Sequence, residues 1–280
     1  MSLARELERV YSVFPWPEDP FSDVGRRRYE IALREMGELL DHPWLKEAIE
    51  QRERLHILDL CGGTGIGGVA LAKKVAERGR EARLTVVDLR REALETARRF
   101  CREELGFEPE IAEVDVRRVH ELGVEADVAL MYGLSTPHFS PWDMVRVCAS
   151  SSLSLGADGL MIVEEADRFE AVFRRMGYRD IHVEHASDER VVMSLHRDHD
   201  MLTGYTTRVV LDVLAGRTAS MKVYFWDIAC VAALLWTFFG DVDFVRRPMA
   251  LSGFIIARRP RKVIDAKALL AQTPKMLSED

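Results

Sequence analysis

Five acids and one histidine stand where chemistry is easiest to place. Asp59, Asp88 and Asp115 each close an apolar run, in "LHILDL", "RLTVVDL" and "EIAEVDV". Glu164 and Glu165 end "GLMIVEE", and His138 lies in "YGLSTPHFSPWD" beyond a fourth run. Behind Asp59 the chain breaks into "CGGTGIGG". Gly63, Gly65 and Gly68 fit G-x-G-x-x-G there, and Asp88 follows about 20 residues later, as a dinucleotide fingerprint requires. A pyrophosphate on a helix N-terminus wants positive potential, and Asp59 supplies the wrong sign. The pocket therefore suits a ligand with a cation at that point and a diol for a second carboxylate. Tight packing of a strand-to-helix unit is the plainer account of the glycines.

The stretch "DLCGGTG" resembles the first motif of the class I S-adenosylmethionine-dependent methyltransferases, commonly D-L-G-C-G-T-G. Gly63 and Gly65 keep their places, while Cys61 stands where the family usually has its first glycine. The resemblance implies S-adenosylmethionine as cofactor, an ion with an ammonium, a sulfonium and a ribose diol but no phosphate. It implies that Asp59 and the Cys61 carbonyl face the methionine end and that Asp88 accepts both ribose hydroxyls, a charge-assisted bidentate contact. Leu89 then lies against adenine, Asp115 takes the adenine amino group beside the Val116 amide, and Tyr132 and Gly133 touch the methionine part through their backbone. Each acid alone reads as a solvated strand end. Three at successive strand ends line the carboxyl edge, where open α/β sheets bind ligands.

Methyl transfer from a sulfonium is an in-line displacement that needs alignment and the exclusion of water, with no nucleophilic residue. A base matters only when the acceptor must lose a proton. His138, expected just past the methyl with a pKa near neutrality, is the candidate catalytic residue; the plainer alternative is a loop histidine bonded to backbone. The loop lacks the N/D-P-P-Y/F signature of enzymes that methylate exocyclic amines of bases. Glu164 is read as binding a cationic acceptor. Tyr29 is read as part of an aromatic lid with Tyr11, Phe14, Trp16 and Phe21, ordinary helix packing being the alternative. His182, Glu184, His185, His196 and Asp198 read as scattered surface polarity, so no metal site is expected.

These residues need a frame. From Leu55 strands and helices alternate, which argues a parallel, doubly wound α/β sheet. After Glu165 come a helix, "RFEAVFRRMGY", and then the strand-like runs "IHVEHA", "RVVMSLHRDH" and "YTTRVVLDVL" followed by "ASMKVYFW", an inserted antiparallel β meander. A helix begun by Asp227 and two strands, "DVDFVRR" and "SGFIIARRP", close the sheet, an ending typical of the same family. The expected fold is a seven-stranded Rossmann-like sheet with an antiparallel last strand. Its organisation is read as an N-terminal helical cover (1–54), a cofactor domain (55–165 and 226–260), an inserted cap (166–225) and a C-terminal tail (261–280). Cover and cap together resemble small-molecule methyltransferases of the glycine N-methyltransferase type, in architecture only.

With 280 residues, 48% of them hydrophobic, the chain can bury a full α/β core. A net charge of −7 gives no general attraction to nucleic acid or anionic membranes. Clusters at Arg26–Arg28, Arg90–Arg91, Arg117–Arg118 and 258–261 read as solvated faces. The four cysteines share no C-x-x-C spacing, which suits a reducing cytoplasm. The longest apolar run, 228–240, falls short of the roughly 18 residues a membrane span needs. The expected protein is thus a cytoplasmic S-adenosylmethionine-dependent methyltransferase of a small-molecule acceptor, without nucleic-acid or membrane partners and able to form oligomers. An RNA methyltransferase using the arginine clusters, an NAD-dependent oxidoreductase and a non-catalytic S-adenosylmethionine-binding protein are the alternatives.

Overall fold

A computed structural model describes residues 3–14, 16–261 and 265–277. Helices α1 (Leu3–Val13), α2 (Asp23–Leu39) and α3 (Pro43–Glu50) precede β1 (Arg54–Leu60). The chain then alternates through α4 (Ile66–Glu77), β2 (Glu81–Asp88), α5 (Arg91–Leu105), β3 (Glu110–Glu113), β4 (Ala126–Met131), α6 (Pro141–Leu153) and β5 (Leu155–Ala166). Short 3₁₀ turns, Val116–Leu122 and Thr136–His138, flank β4. Beyond β5 come β6 (Ile181–Ala186), β7 (Val191–His199), β8 (Thr206–Asp212) and β9 (Arg217–Val223), then α7 (Ile228–Phe238), β10 (Phe239–Arg246), β11 (Ser252–Pro260) and α8 (Ala266–Leu270).

Seven strands form one sheet in the order β10-β11-β5-β4-β1-β2-β3. The β1–β2, β1–β4, β2–β3 and β4–β5 pairs are parallel, and β11 runs antiparallel to both neighbours. Alternate side chains along each strand feed opposite faces. Ile57, Val86, Ile162 and Ile256 join a core under α2, α4 and α5, whereas Leu58, Val87, Met161 and Ile255 join one under α6 and α7. Burial on both faces is why these strands read as unbroken apolar runs. The Asp227 side chain accepts from the Cys230 amide and starts α7, as the sequence implied.

One detail differs from the sequence reading. The segment read as an α-helix after β5 is π-helical over Phe169–Met176 and buries none of its residues fully, so packing does not enforce the tighter form. The meander holds four strands in the order β6-β7-β8-β9, because both turns close as hairpins, with Gly204 and Gly216 at positive φ.

The helix α1 packs on this second sheet. Val10 and Val13 meet Val192, Val210 and Ala219, with Phe14 and Met221 alongside. Arg190 and Arg9 fasten it, donating to Val13 O at 2.7 Å and Thr218 O at 2.8 Å. In contrast, α2 lies in the main core through Tyr29, Ala32, Met36 and Leu39. The strap 16–22 between them ends at Ser22, whose side chain accepts from the Gly25 amide. Gly25 has no room for a side chain: a Cβ there would lie 1.8 Å from the Asp19 carbonyl oxygen. Gly25→Ala should therefore lower stability by about 1–3 kcal/mol, the usual cost of overpacking. At Gly37, farther along the same helix, a Cβ would meet only the Lys74 side chain at 3.8 Å. Gly37→Ala should raise stability by about 0.5–1 kcal/mol. Denaturant melts of both variants check the pair; equal effects would contradict the packing of the strap on α2.

Candidate functional site

The strand β1 ends in a carboxylate that the turn behind it is built to meet. Asp59 is 1% exposed, and its Oδ2 accepts the Gly68 amide at 3.0 Å. A Cβ on Gly68 would stand 2.5 Å from that oxygen and one on Gly62 2.6 Å, so the glycines are required by the close approach of acid and helix. Asp59 Oδ1 is buried with no hydrogen-bond partner among the described residues. Burial pushes its carboxyl up to about 7, against the opposing pull of the Gly68 amide. Cys61 adopts φ 53°, a left-handed conformation that costs a residue with a Cβ roughly 1–2 kcal/mol. Gly63 and Gly65 take φ 54° and 83° without that cost.

At the end of β2, Asp88 accepts the Gly63 amide on Oδ2 at 2.9 Å, and on Oδ1 the Arg90 amide at 2.9 Å and Arg90 Nε at 3.3 Å. Leu89 is half-buried beside it. Asp115 caps the turn that begins at Val116 and is held by Arg117, whose Nη1 also reaches Asp143 at 2.7 Å. Asp59, Cys61, Gly63 and Tyr132 line one cleft with Tyr11, Trp16, Glu18, Arg28 and Arg90. The free volume of this cleft is about 30 Å³. A wider depression of about 540 Å³ lies on the far side of Asp115, between Arg118, His120, Arg146 and Lys267. It contains none of the glycine turn.

His138 sits in the 3₁₀ turn after β4, clamped by the insertion. The Tyr205 hydroxyl stands 2.8 Å from His138 O and 2.9 Å from Asp143 Oδ2, and it accepts the Ser140 amide. Trp226 Nε1 donates to the Thr136 and Phe139 carbonyls, and Tyr224 N to Pro137 O. The imidazole faces Tyr11, with 3.4 Å between Nε2 and the hydroxyl. The expected near-neutral pKa is corrected here: burial, with Arg90 and Arg168 adding to it, lowers His138 to about 4.

Two residues read as substrate contacts are occupied elsewhere. Tyr29 is 1% exposed and packs edge-on against Phe100 in the main core, because it shares the buried stripe of α2. Glu164 binds Arg247 at 2.6 Å and accepts the Gly133 amide, so no free charge is left for an acceptor. Of the suggested aromatic lid, Tyr11 and Trp16 line the cleft; Phe14 packs on the insertion and Phe21 on Phe100. Among the described residues, no three His, Cys, Asp or Glu side chains converge as metal ligands.

Sequence reasoning missed Arg28, Glu18, Arg90, Glu35 and Arg247. Arg247 joins Glu35 and Glu164, and Glu35 also accepts from the Tyr132 hydroxyl, which ties α2 to the ends of β4 and β5. Arg28 stacks over Trp16 and faces Tyr132, with no carboxylate partner among the described residues. One signal was available for it. It lies three residues after Gly25 and four before Ala32, on the buried side of α2.

Residues 57–159 match the model of a family described as a methyltransferase domain. No curated protein matches the chain by sequence. Among solved structures, the PH0226 protein of Pyrococcus horikoshii OT3 superposes with a TM-score of 0.61 at 17% identity, over 90% of this chain and 98% of that one. An S-adenosylmethionine-dependent methyltransferase of Clostridium acetobutylicum ATCC 824 gives 0.61 at 13%, over 93% and 100%. The CcbJ methyltransferase of Streptomyces caelestis gives 0.60 at 14%, over 92% and 98%. Residues 57–159 thus carry a methyltransferase domain, and the seven-stranded sheet that holds it is the fold shared with these solved structures. The residues present fit S-adenosylmethionine: an orphaned buried carboxylate oxygen and a glycine cradle that any Cβ would fill. Among the described residues no helix is long and apolar enough to cross a membrane.

The correction at His138 has a direct test. Its ring should remain neutral as pH falls from about 8 to about 5, where a free imidazole gains its proton near 6.5, and it should protonate only near 4. Carbon-13 spectra of labelled imidazoles would show this, with His138→Asn assigning the signal; a transition between about pH 6 and 7 would contradict the burial.

Proposed function

We propose that this methyltransferase modifies a small-molecule acceptor held between the β4–β5 edge and a cover made of α1 and the four-stranded sheet. The observation that carries this reading is the roof. Tyr11 meets His138 from one side while Tyr205 and Trp226 pin the same loop from the other, so the acceptor side is enclosed by the chain itself. A polymer needs an open, cationic groove. Against such a groove, Arg26, Arg91, Arg117, Arg118 and Arg258 each face an acid within 4.0 Å.

In this reading Asp59 takes the cofactor's ammonium and Arg28 its carboxylate, with the Cys61–Gly65 turn and Tyr132 beneath them. Asp88 takes the ribose diol, and Leu89 and Val116 flank adenine. Asp115 is the weakest of the three acids in its role, because Arg117 already contacts both of its oxygens. The cofactor supplies an electrophilic methyl group on a sulfonium. The protein's own task is to align an acceptor lone pair and keep water out. A neutral His138 serves by accepting a hydrogen bond from the acceptor. With its pKa near 4 it cannot store a proton at neutral pH, which suits an acceptor that attacks without prior ionisation.

Asp59 sets the pH dependence. Its carboxyl is raised to about 7, so acid leaves it protonated and unable to attract an ammonium. Calorimetry should show S-adenosylhomocysteine binding more tightly as pH rises through about 7, with release of a proton; Asp59→Asn should bind at least about tenfold more weakly, the loss of one charged hydrogen bond, and lose the pH dependence. Parent-like binding by Asp59→Asn would remove the ammonium assignment. For the acceptor, filter retention of bulk tRNA and rRNA should be negligible. Retention that falls steeply with salt would replace the small-molecule reading with an RNA one.

A further inference from the structure

One cation in the cofactor cleft is not accounted for by the cofactor. Arg90 is 7% exposed, and its guanidinium lies over the glycine turn: a Cβ on Gly63 would come within 3.0 Å of Arg90 Nη2. Its Nε contacts Asp88 Oδ1 at 3.3 Å, its Nη1 binds Glu18 Oε2 at 2.7 Å, and its Cζ stands 4.1 Å from the centre of the Tyr11 ring. The Glu18 carbonyl in turn accepts from Thr64 Oγ1 at 2.5 Å. Side chains from α1, the strap 16–22 and the end of β2 therefore meet on one guanidinium above the glycine turn. The cleft beneath it holds about 30 Å³, where a bound small molecule fills roughly 300 Å³ or more.

We propose that Arg90 is an internal competitor for the ribose acid and the latch of the N-terminal cover. This rests on the assignment of Asp88 to the ribose. A carboxylate offers about four lone-pair sites; the Gly63 and Arg90 amides take two of those of Asp88, and the two hydroxyls of a cis-diol take the rest, so none is left for Arg90 Nε. Cofactor binding thus releases Arg90 from Asp88. Arg90 keeps Glu18 and moves with the strap, and Tyr11, stacked on it, withdraws from His138. Occupancy of the cofactor site is thereby passed to the acceptor side through a single side chain. Composition explains why the chain can do this: an arginine presents one donor edge to Asp88, another to Glu18 and a flat face to Tyr11 simultaneously, which a lysine cannot.

Glu18→Gln isolates the latch, since it keeps the shape of a partly exposed side chain and leaves Asp88 untouched. Two measurements on the full chain test it. Without ligand, amide hydrogen exchange over residues 8–18 should quicken by about tenfold or more in Glu18→Gln and in Arg90→Ala, the loss of one charged hydrogen bond, while β1 to β5 stay protected. In stopped flow, read by the fluorescence of Trp16 with Trp16→Phe as control, S-adenosylhomocysteine should associate with Arg90→Ala, which lacks the competitor, faster than with the parent by a similar factor. Unchanged exchange over 8–18, or unchanged association, overturns the latch. Faster exchange in a chain that binds no S-adenosylhomocysteine would instead remove the ribose assignment and the competition with it.

Discussion

A carboxylate enclosed in a dry interior must be given donors or it will take up a proton. The structure of this protein follows from meeting that demand at the ends of four strands of one sheet. Asp59, Asp88, Asp115 and Glu164 close β1, β2, β3 and β5 at the same edge of the sheet, and each is answered differently. Asp59 receives one helix amide and keeps an orphaned oxygen; Asp88 receives two turn amides and a guanidinium; Asp115 receives Arg117, and Glu164 receives Arg247 and a loop amide. The degree of satisfaction differs from acid to acid. Glu164 and Asp115 are largely spent, whereas Asp59 is left incomplete in a way that a cationic ligand can finish.

Other charged residues around these acids come from parts of the chain far away in sequence, and this binds the accessory elements to the sheet. Arg28 arrives on α2, Glu18, which accepts from Arg90, on the strap, and Arg247 on the turn between β10 and β11. Tyr11 reaches the cleft only because Val10 and Val13 anchor α1 on the inserted sheet. Arginine is used throughout, and a planar fork that serves two acids and an aromatic face suits these crowded junctions better than an ammonium.

How far the sequence reveals this depends on distance along the chain. The glycine turn was legible because acid, glycines and helix start lie within ten residues, and their spacing alone dictates a close approach. The strand-end acids were legible because alternation of apolar runs with amphipathic helices fixes which edge they share. The antiparallel β11 was legible from helix, strand, turn and strand in succession. Tyr29 was misread because an aromatic on an amphipathic helix looks the same whether its stripe faces a cleft or a core. His138 was misread because its pKa is set by what encloses it, namely Tyr11 from one end of the chain and Tyr205 and Trp226 from the other, and no local pattern encodes that. Arg90 was grouped with a solvated cluster for the same reason: its partner Glu18 is 72 positions away.

The charge of the closed cleft bears on how it opens. Above about pH 7, where Asp59 is ionised, Asp59, Asp88 and Glu18 carry three negative charges against the two positive charges of Arg28 and Arg90. If Arg90 and Glu18 leave together as an ion pair, no net charge departs with the cover, so opening is not opposed by stranding a charge in the cleft. What remains, Asp59, Asp88 and Arg28, has one net negative charge. A ligand with an ammonium, a sulfonium and a carboxylate has one net positive charge and matches it. Once the methyl group has left, the sulfonium becomes a neutral thioether, the ligand's net charge falls to zero, and the long-range attraction to the cleft weakens. Asp88 is then more easily recaptured by Arg90. The same pair of residues that must yield to admit the cofactor is thus placed to help displace its product.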